Sequence, residues 1–343
     1  MTTSTPATDD PAIVDAHVHA LPKALLEAVA AAPDGIDGVS ATPVDGGWQV
    51  TLPGAPAPKL VRPLMVDAAK RGAWADDQGI AAQVVSPWLD AQPTAAMPPA
   101  QARDWAQRLN AALAEEGSPV LATVALNSGD QAAKDVEQAV TAEGLHGLVL
   151  STNPTGVSDL ADPALEPLWE TAAGLRIPVM LHPPTDGPAR ALPDSGAFGN
   201  TYCRLVDSTF AVAKLLLTGV LDRFPGLQLL VVHGGGFLPY QSMRLDGGHR
   251  ADGLAQFGIQ REKPSDYLAD LYFDTVAMSA AAIRFLVESV GANHVLLGSD
   301  YPFPLGDRMP VATVRSAHLG DDDTAAVLGG NASRIFGIRR VHV

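Results

Sequence analysis

Two histidines one residue apart, in "IVDAHVHALP", are the first residues of this sequence equipped for chemistry. On an extended strand His17 and His19 project to one face and Val18 to the other. Two neutral imidazoles at that spacing can hold one metal ion, and they can equally be polar residues closing a strand. Three further groups stand in comparable places. His182 ends the apolar run "IPVMLH", His233 ends "LQLLVVH", and Asp300 follows "HVLLGS". A carboxylate in that last position is unfavourable to bury without a cation nearby. Three imidazoles and one carboxylate form a borderline-hard donor set suited to zinc, manganese or iron. The remaining histidines have a blander context. His146 and His294 begin apolar runs, while His318 and His342 lie in polar or terminal stretches.

Elements able to bring these groups together are visible as eight short apolar runs. They are "AIVDAHVH", "IAAQVVSP", "PVLATVAL", "LHGLVLST", "IPVMLHPP", "LQLLVVHG", "LYFDTVAM" and "HVLLGSDY". Nearly all are apolar on both faces, as a parallel sheet covered by helices requires. Helical segments such as "ARDWAQRLNAALAEEG", "GDQAAKDVEQAVTAEG", "DPALEPLWETAAGL" and "SAAAIRFLVESVGA" lie between them. This alternation predicts an α/β fold of the (β/α)8 TIM-type barrel class, whose active site sits at the C-terminal strand ends. A doubly wound open sheet is the alternative, weakened by the lack of a G-x-G-x-x-G after the first strand. Residues 33–63 are rich in Gly and Pro and contain the alternating run "WQVTL". They are expected to form a small β insertion after strand one, lying over the barrel mouth. Residues 1–10 are expected to be a flexible tail, and 11–343 a single metal-dependent barrel domain.

Composition narrows the function classes. A formal charge of −15 argues against a nucleic-acid partner. The polar start lacks a basic segment and an apolar core, so it does not read as a secretory signal. No apolar run approaches the roughly 18 residues a membrane span needs, and a cytoplasmic location is expected. The single cysteine, Cys203, rules out an internal disulfide framework and reads as a passive small residue.

Together, the H-x-H of strand one, the His of strand five, "HGGG" after strand six and "GSDYPFPLG" after strand eight resemble the amidohydrolase superfamily. Within it the chain resembles the decarboxylase branch typified by 2-amino-3-carboxymuconate-6-semialdehyde decarboxylase. The likeness runs from Ile13 to about Ile338 and includes "DDQGIAAQVVSP" and "GNASRIFGI". It implies that His17, His19, His182 and Asp300 bind one divalent metal, zinc in the first instance, with Mn2+ or Fe2+ as alternatives. His233 becomes the acid/base. Arg62, in "LVRPL", would bind a substrate carboxylate. Arg244, in "QSMRLD", would reach in from the partner subunit of a homodimer, and Phe303 would line the pocket. Trp88, just after strand two, faces either substrate or core. The loop after strand five departs from the family pattern, with Phe198 and Tyr202 as its nearest aromatic substitutes, which leaves substrate identity open.

The function this implies is a metal-dependent non-oxidative decarboxylase of a small unsaturated or hydroxyaromatic carboxylic acid. It would use a metal-activated water, because a metal lowers the pKa of bound water from about 15.7 to about 7. Strand four ends in Leu150 and Ser151 with no lysine to bridge a second ion, so one metal is expected. The alternatives are a hydrolase or hydratase using the same water, and a barrel that only binds a ligand.

Overall fold

Runs apolar on both faces can be satisfied only between two covering layers, and each expected run lies there. The computed structural model describes residues 12–338 except 56, 252, 254 and 255. The expected tail at 1–10 lies outside the described residues. In chain order the strands are β1 (Val14–Ala20), β2 (Ser40–Val44), β3 (Gly47–Thr51), β4 (Lys59–Val61), β5 (Ala82–Pro87) and β6 (Leu121–Ala122). They continue with β7 (Gly147–Ser151), β8 (Pro178–His182), β9 (Gln228–Val231), β10 (Tyr272–Asp274) and β11 (Val295–Leu296).

β1 pairs in parallel with β5, and β6 to β11 pair in parallel in sequence order. Two seams join these pieces. A Val85–Val120 bridge links β5 to the segment entering β6, and a Val18–Tyr301 bridge links β1 to the segment leaving β11. At the second seam Ala16 N donates to Leu297 O at 2.8 Å and Asp300 N to His17 O at 2.9 Å. An open sheet would leave two edges unpaired; here both are bonded, so the eight strands close into a barrel.

Alternation divides each strand between two cores. Val14, Val84, Val149, Met180, Leu230 and Leu296 fill the interior. Val85, Leu148, Val179, Leu181, Leu229 and Val231 pack outward with the helices. The four expected helical segments form helices at Pro99–Ala114, Gly129–Thr141, Glu166–Leu175 and Ala280–Val290. Ser128 and Ser279 cap the second and fourth by accepting from the amides of Gln131 and Ala282.

β2, β3 and β4 form a separate antiparallel sheet. Val50 of β3 is buried with Leu26, Trp105 and Trp88, which anchors that sheet beside the strand-two exit. Lys59 to Leu64 line a cavity that also reaches Trp88 and Phe303.

Candidate active site

The strand ends carry the site by simple parity. Two residues beyond an inward apolar side chain comes an inward polar one: Ser86 after Val84, His182 after Met180, Asp274 after Tyr272. β1 needs an extra device. Val14 and Ala16 belong to the interior, yet Val18 and Ala20 belong to the outer layer. The register shifts between Asp15 and Val18. This bulge changes the phase, so His17 and His19 take the inward places that Val18 and Ala20 would otherwise fill.

Asp300 and His233 arrive from strained turns. Their φ angles, 59° and 57°, lie in the left-handed region, which is unfavourable for residues with a Cβ and recurs at functional sites. The "GGG" after His233 is explained by space: a Cβ on Gly235 would meet the Phe273 ring at 2.6 Å.

The four predicted ligands converge. One donor atom from each of His17, His19, His182 and Asp300 lies within 4.8 Å of all the others. The Nε2 atoms of His17 and His19 are 3.0 Å apart, and Asp300 Oδ1 lies 3.4 and 3.2 Å from them. All four side chains are buried, and among the described residues His182 Nε2 and Asp300 Oδ1 have no hydrogen-bond partner. Buried, unpartnered lone pairs facing one another are unstable unless a cation sits among them. The opposite ring nitrogens are fixed by neighbours. His17 Nδ1 meets Asp274 Oδ2 at 2.7 Å, His19 Nδ1 meets Ser86 Oγ at 2.9 Å, and His182 Nδ1 donates to Pro183 O at 2.8 Å. Such outer partners set the tautomer and aim Nε2 at an ion. The donor set fits one divalent metal ion.

Protonation favours the same use. Burial pushes His182 well below the ordinary histidine range and takes His19 down to about 4, so both carry free lone pairs at neutral pH. Burial alone would raise Asp300, but the charge of His17 and the close approach of the His19 and His233 imidazoles hold it well below the usual carboxylate range. His17 is raised: burial opposes its charge, and the bond to Asp274 with the charge of Asp300 outweighs it. A metal there competes with a proton for His17.

His233 stands beside this group, its Nε2 3.5 Å from Asp300 Oδ2 and its buried Nδ1 without a partner among the described residues. Two chambers open above. One, of about 390 Å³, is lined by His233, Asp300, Tyr240 and Phe237; the other, of about 960 Å³, by Arg62, Trp88 and Thr185. Phe303 and Arg204 line both, and the Phe303 ring lies 5.2 Å from that of His19. Arg62 is exposed at the larger mouth. Arg244 is exposed on the helix Leu238–Arg250 and lines neither chamber of its own chain. Phe198 and Tyr202 are more than half exposed, at 53% and 58%.

The sequence reading did not pick out Asp274, Ser86, Tyr240 or Arg204. Inward parity would have found the first two. Tyr240, whose buried hydroxyl lacks a partner, and Arg204 sit on segments for which no periodicity gives the direction.

Known proteins supply a context for this geometry. The amidohydrolase family model matches residues 14–338. The 2-amino-3-carboxymuconate-6-semialdehyde decarboxylase of Dictyostelium discoideum is 28% identical over 252 residues, 70% of this chain and 68% of that protein. The gamma-resorcylate decarboxylase of Polaromonas sp. (strain JS666) is 25% identical over 283 residues, 77% of this chain and 86% of that one. The fold also matches a crystal structure of dihydroxybenzoic acid decarboxylase from Polaromonas sp. JS666 with bound manganese and the inhibitor 2-nitroresorcinol. The TM-score is 0.76 and the identity 21%, over 96% of this chain and 98% of that one. A closed barrel, a three-histidine and one-aspartate centre, and a match over nearly the whole length agree: the chain belongs to the amidohydrolase family, in its decarboxylase branch.

Proposed function

We propose that the protein is a metal-dependent, non-oxidative decarboxylase of a small unsaturated or hydroxyaromatic carboxylic acid. The convergence of His17, His19, His182 and Asp300 beside His233 carries this reading, in a chain whose relatives are named decarboxylases. In it, those four residues hold one divalent ion, and three imidazoles favour zinc over the manganese of the solved relative. Bound there, the ion supplies Lewis-acid polarisation of a substrate oxygen or of water.

The chain's own groups do the rest. His233 gives a proton to the substrate carbon as the bond to the carboxylate breaks; the electron pair stays on carbon and carbon dioxide leaves. The Asp300 carboxylate, 3.5 Å from its Nε2, positions the His233 ring. Arg62 holds substrate carboxylate at the larger chamber, its planar fork suiting two parallel hydrogen bonds. Phe303 and Trp88 wall the site and exclude water. Arg244 acts from the partner subunit of a homodimer, and the barrel with its β2–β4 sheet works as one catalytic domain.

Carbon dioxide release from a panel of hydroxybenzoic and unsaturated acids, measured on metal-loaded enzyme, tests the reaction. His233→Ala is expected to keep its metal and lose about 10²–10⁴ in kcat. Acid consumed without carbon dioxide would overturn the reading in favour of a hydratase or hydrolase. A fully active His233→Ala enzyme would remove the role given to that histidine.

A further inference from the structure

Arg204, the first residue of the helix Arg204–Leu217, is half-buried where the two chambers meet. A guanidinium offers five N–H donors and stays charged at any physiological pH. Its Nη2 donates to Thr185 Oγ1 at 2.8 Å, and that hydroxyl donates to Asp90 Oδ2 at 2.8 Å. This relay anchors one corner of the group and supplies no direct carboxylate. Its Nε is fully shielded from water and, among the described residues, has no hydrogen-bond partner. Asp207, one turn along the helix, spends Oδ1 on the Ala189 amide. Among the described residues Arg204 makes no ion pair, in a protein of net charge −15 with acids to spare. A half-buried cation without an ion pair, one of its donors orphaned, is a penalty that an incoming anion relieves.

We propose that Arg204 receives a second, non-reacting carboxylate of the substrate, so that the substrate is a dicarboxylic acid. The inference rests on the decarboxylase reading for the fate of the other carboxylate, the one given to Arg62, which is lost at the centre formed by His17, His19, His182 and Asp300. His233, Asp300 and Arg204 line the same smaller chamber, so one small molecule can touch all three. Leu205, Phe237, Val276 and Met278 line it too and suit a ring or unsaturated chain between two anionic ends. Asp300, Asp90, Asp186 and Asp207 favour the charge of Arg204 from a distance, but a monoanion held at the metal centre would leave it without a direct ion pair.

Calorimetric titration of the metal-loaded protein with benzoate, phthalate, isophthalate and terephthalate tests this. At least one dicarboxylate should bind more than about tenfold tighter than benzoate, the scale of a charge-assisted bidentate contact. In Arg204→Met that advantage should fall below about twofold while benzoate affinity and metal content hold, and Arg204→Lys should be intermediate because it keeps charge without the fork. Thr185→Val unseats the guanidinium without removing it, and should lower the same ratio even if Arg204→Met fails to fold. The proposal is overturned if no dicarboxylate outbinds benzoate, if the ratio survives in the folded variants, or if both ligand types weaken equally. A dicarboxylate preference that depends on Arg204, in an enzyme that releases no carbon dioxide, would strike down the decarboxylase reading and leave the receptor standing.

Discussion

The floor of the barrel and its rim are built on opposite plans. On the floor His17, His19 and His182 are no more than 1% exposed, and each has its second ring nitrogen tied to a neighbour. On the rim Phe198 and Tyr202 are more than half exposed, and residues 183–203 form only short turns at Pro188–Ala191 and Gly199–Cys203. Floor side chains are aimed by strand parity and one bulge, and rim side chains by loop paths. The difference separates two tasks. On the proposed function, reaction type is set where geometry is stiff, and substrate choice where the chain can vary without disturbing the sheet.

The comparison breaks most visibly at a floor ligand. His182→Ala is expected to reduce metal from about one ion per chain to a small fraction, with activity falling at least about a thousandfold. Elemental analysis beside Phe198→Ala, which should retain its metal, checks it. A His182→Ala protein with full metal content would show that the floor is not the rigid centre described. A smaller effect is expected one layer out. Asp274 holds His17 Nδ1 through Oδ2 and accepts from Gly234 and Val276 amides through Oδ1. Asp274→Asn keeps the amide contacts and loses the carboxylate behind the imidazole, so metal affinity should fall about 10–100-fold. Competition with a chelator measures it; an unchanged affinity would mean that His17 needs no such support.

How much of this was legible beforehand follows the same division. Eight runs, apolar on both faces, carried the barrel, since period-2 burial leaves few other arrangements. His182 and the β1 pair were legible because each closes such a run. The bulge in β1 was not, because a single inserted residue leaves no mark on composition. Asp274 was hidden by position: "YFD" reads as a strand end, and only the inward parity of Tyr272 marks the aspartate as part of the site. Arg204 was hidden for a deeper reason. Its direction depends on where the loop from Pro183 to Cys203 delivers the next helix, and no local period fixes that.

The slightest effect sharpens the contrast from the rim side. Asp207 is buried, with Oδ1 accepting from the Ala189 amide at 2.8 Å and Oδ2 unpartnered among the described residues. Burial raises its pKa above the ordinary 3.8, only partly opposed by the Ala189 hydrogen bond and the charge of Arg204. The folded protein therefore binds this proton more tightly than the unfolded chain. Its contribution to stability is fully present below the unfolded pKa and is lost as pH rises through the raised folded one. Asp207→Asn keeps an acceptor for Ala189 and carries no charge to desolvate. Relative to the parent, its melting temperature should therefore climb between about pH 4 and pH 8, by a few degrees at most. A difference that stays flat or falls over that interval would mean that the carboxylate is well compensated in the folded state. The rim would then be as fully wired as the floor, and the division of labour between them would not hold.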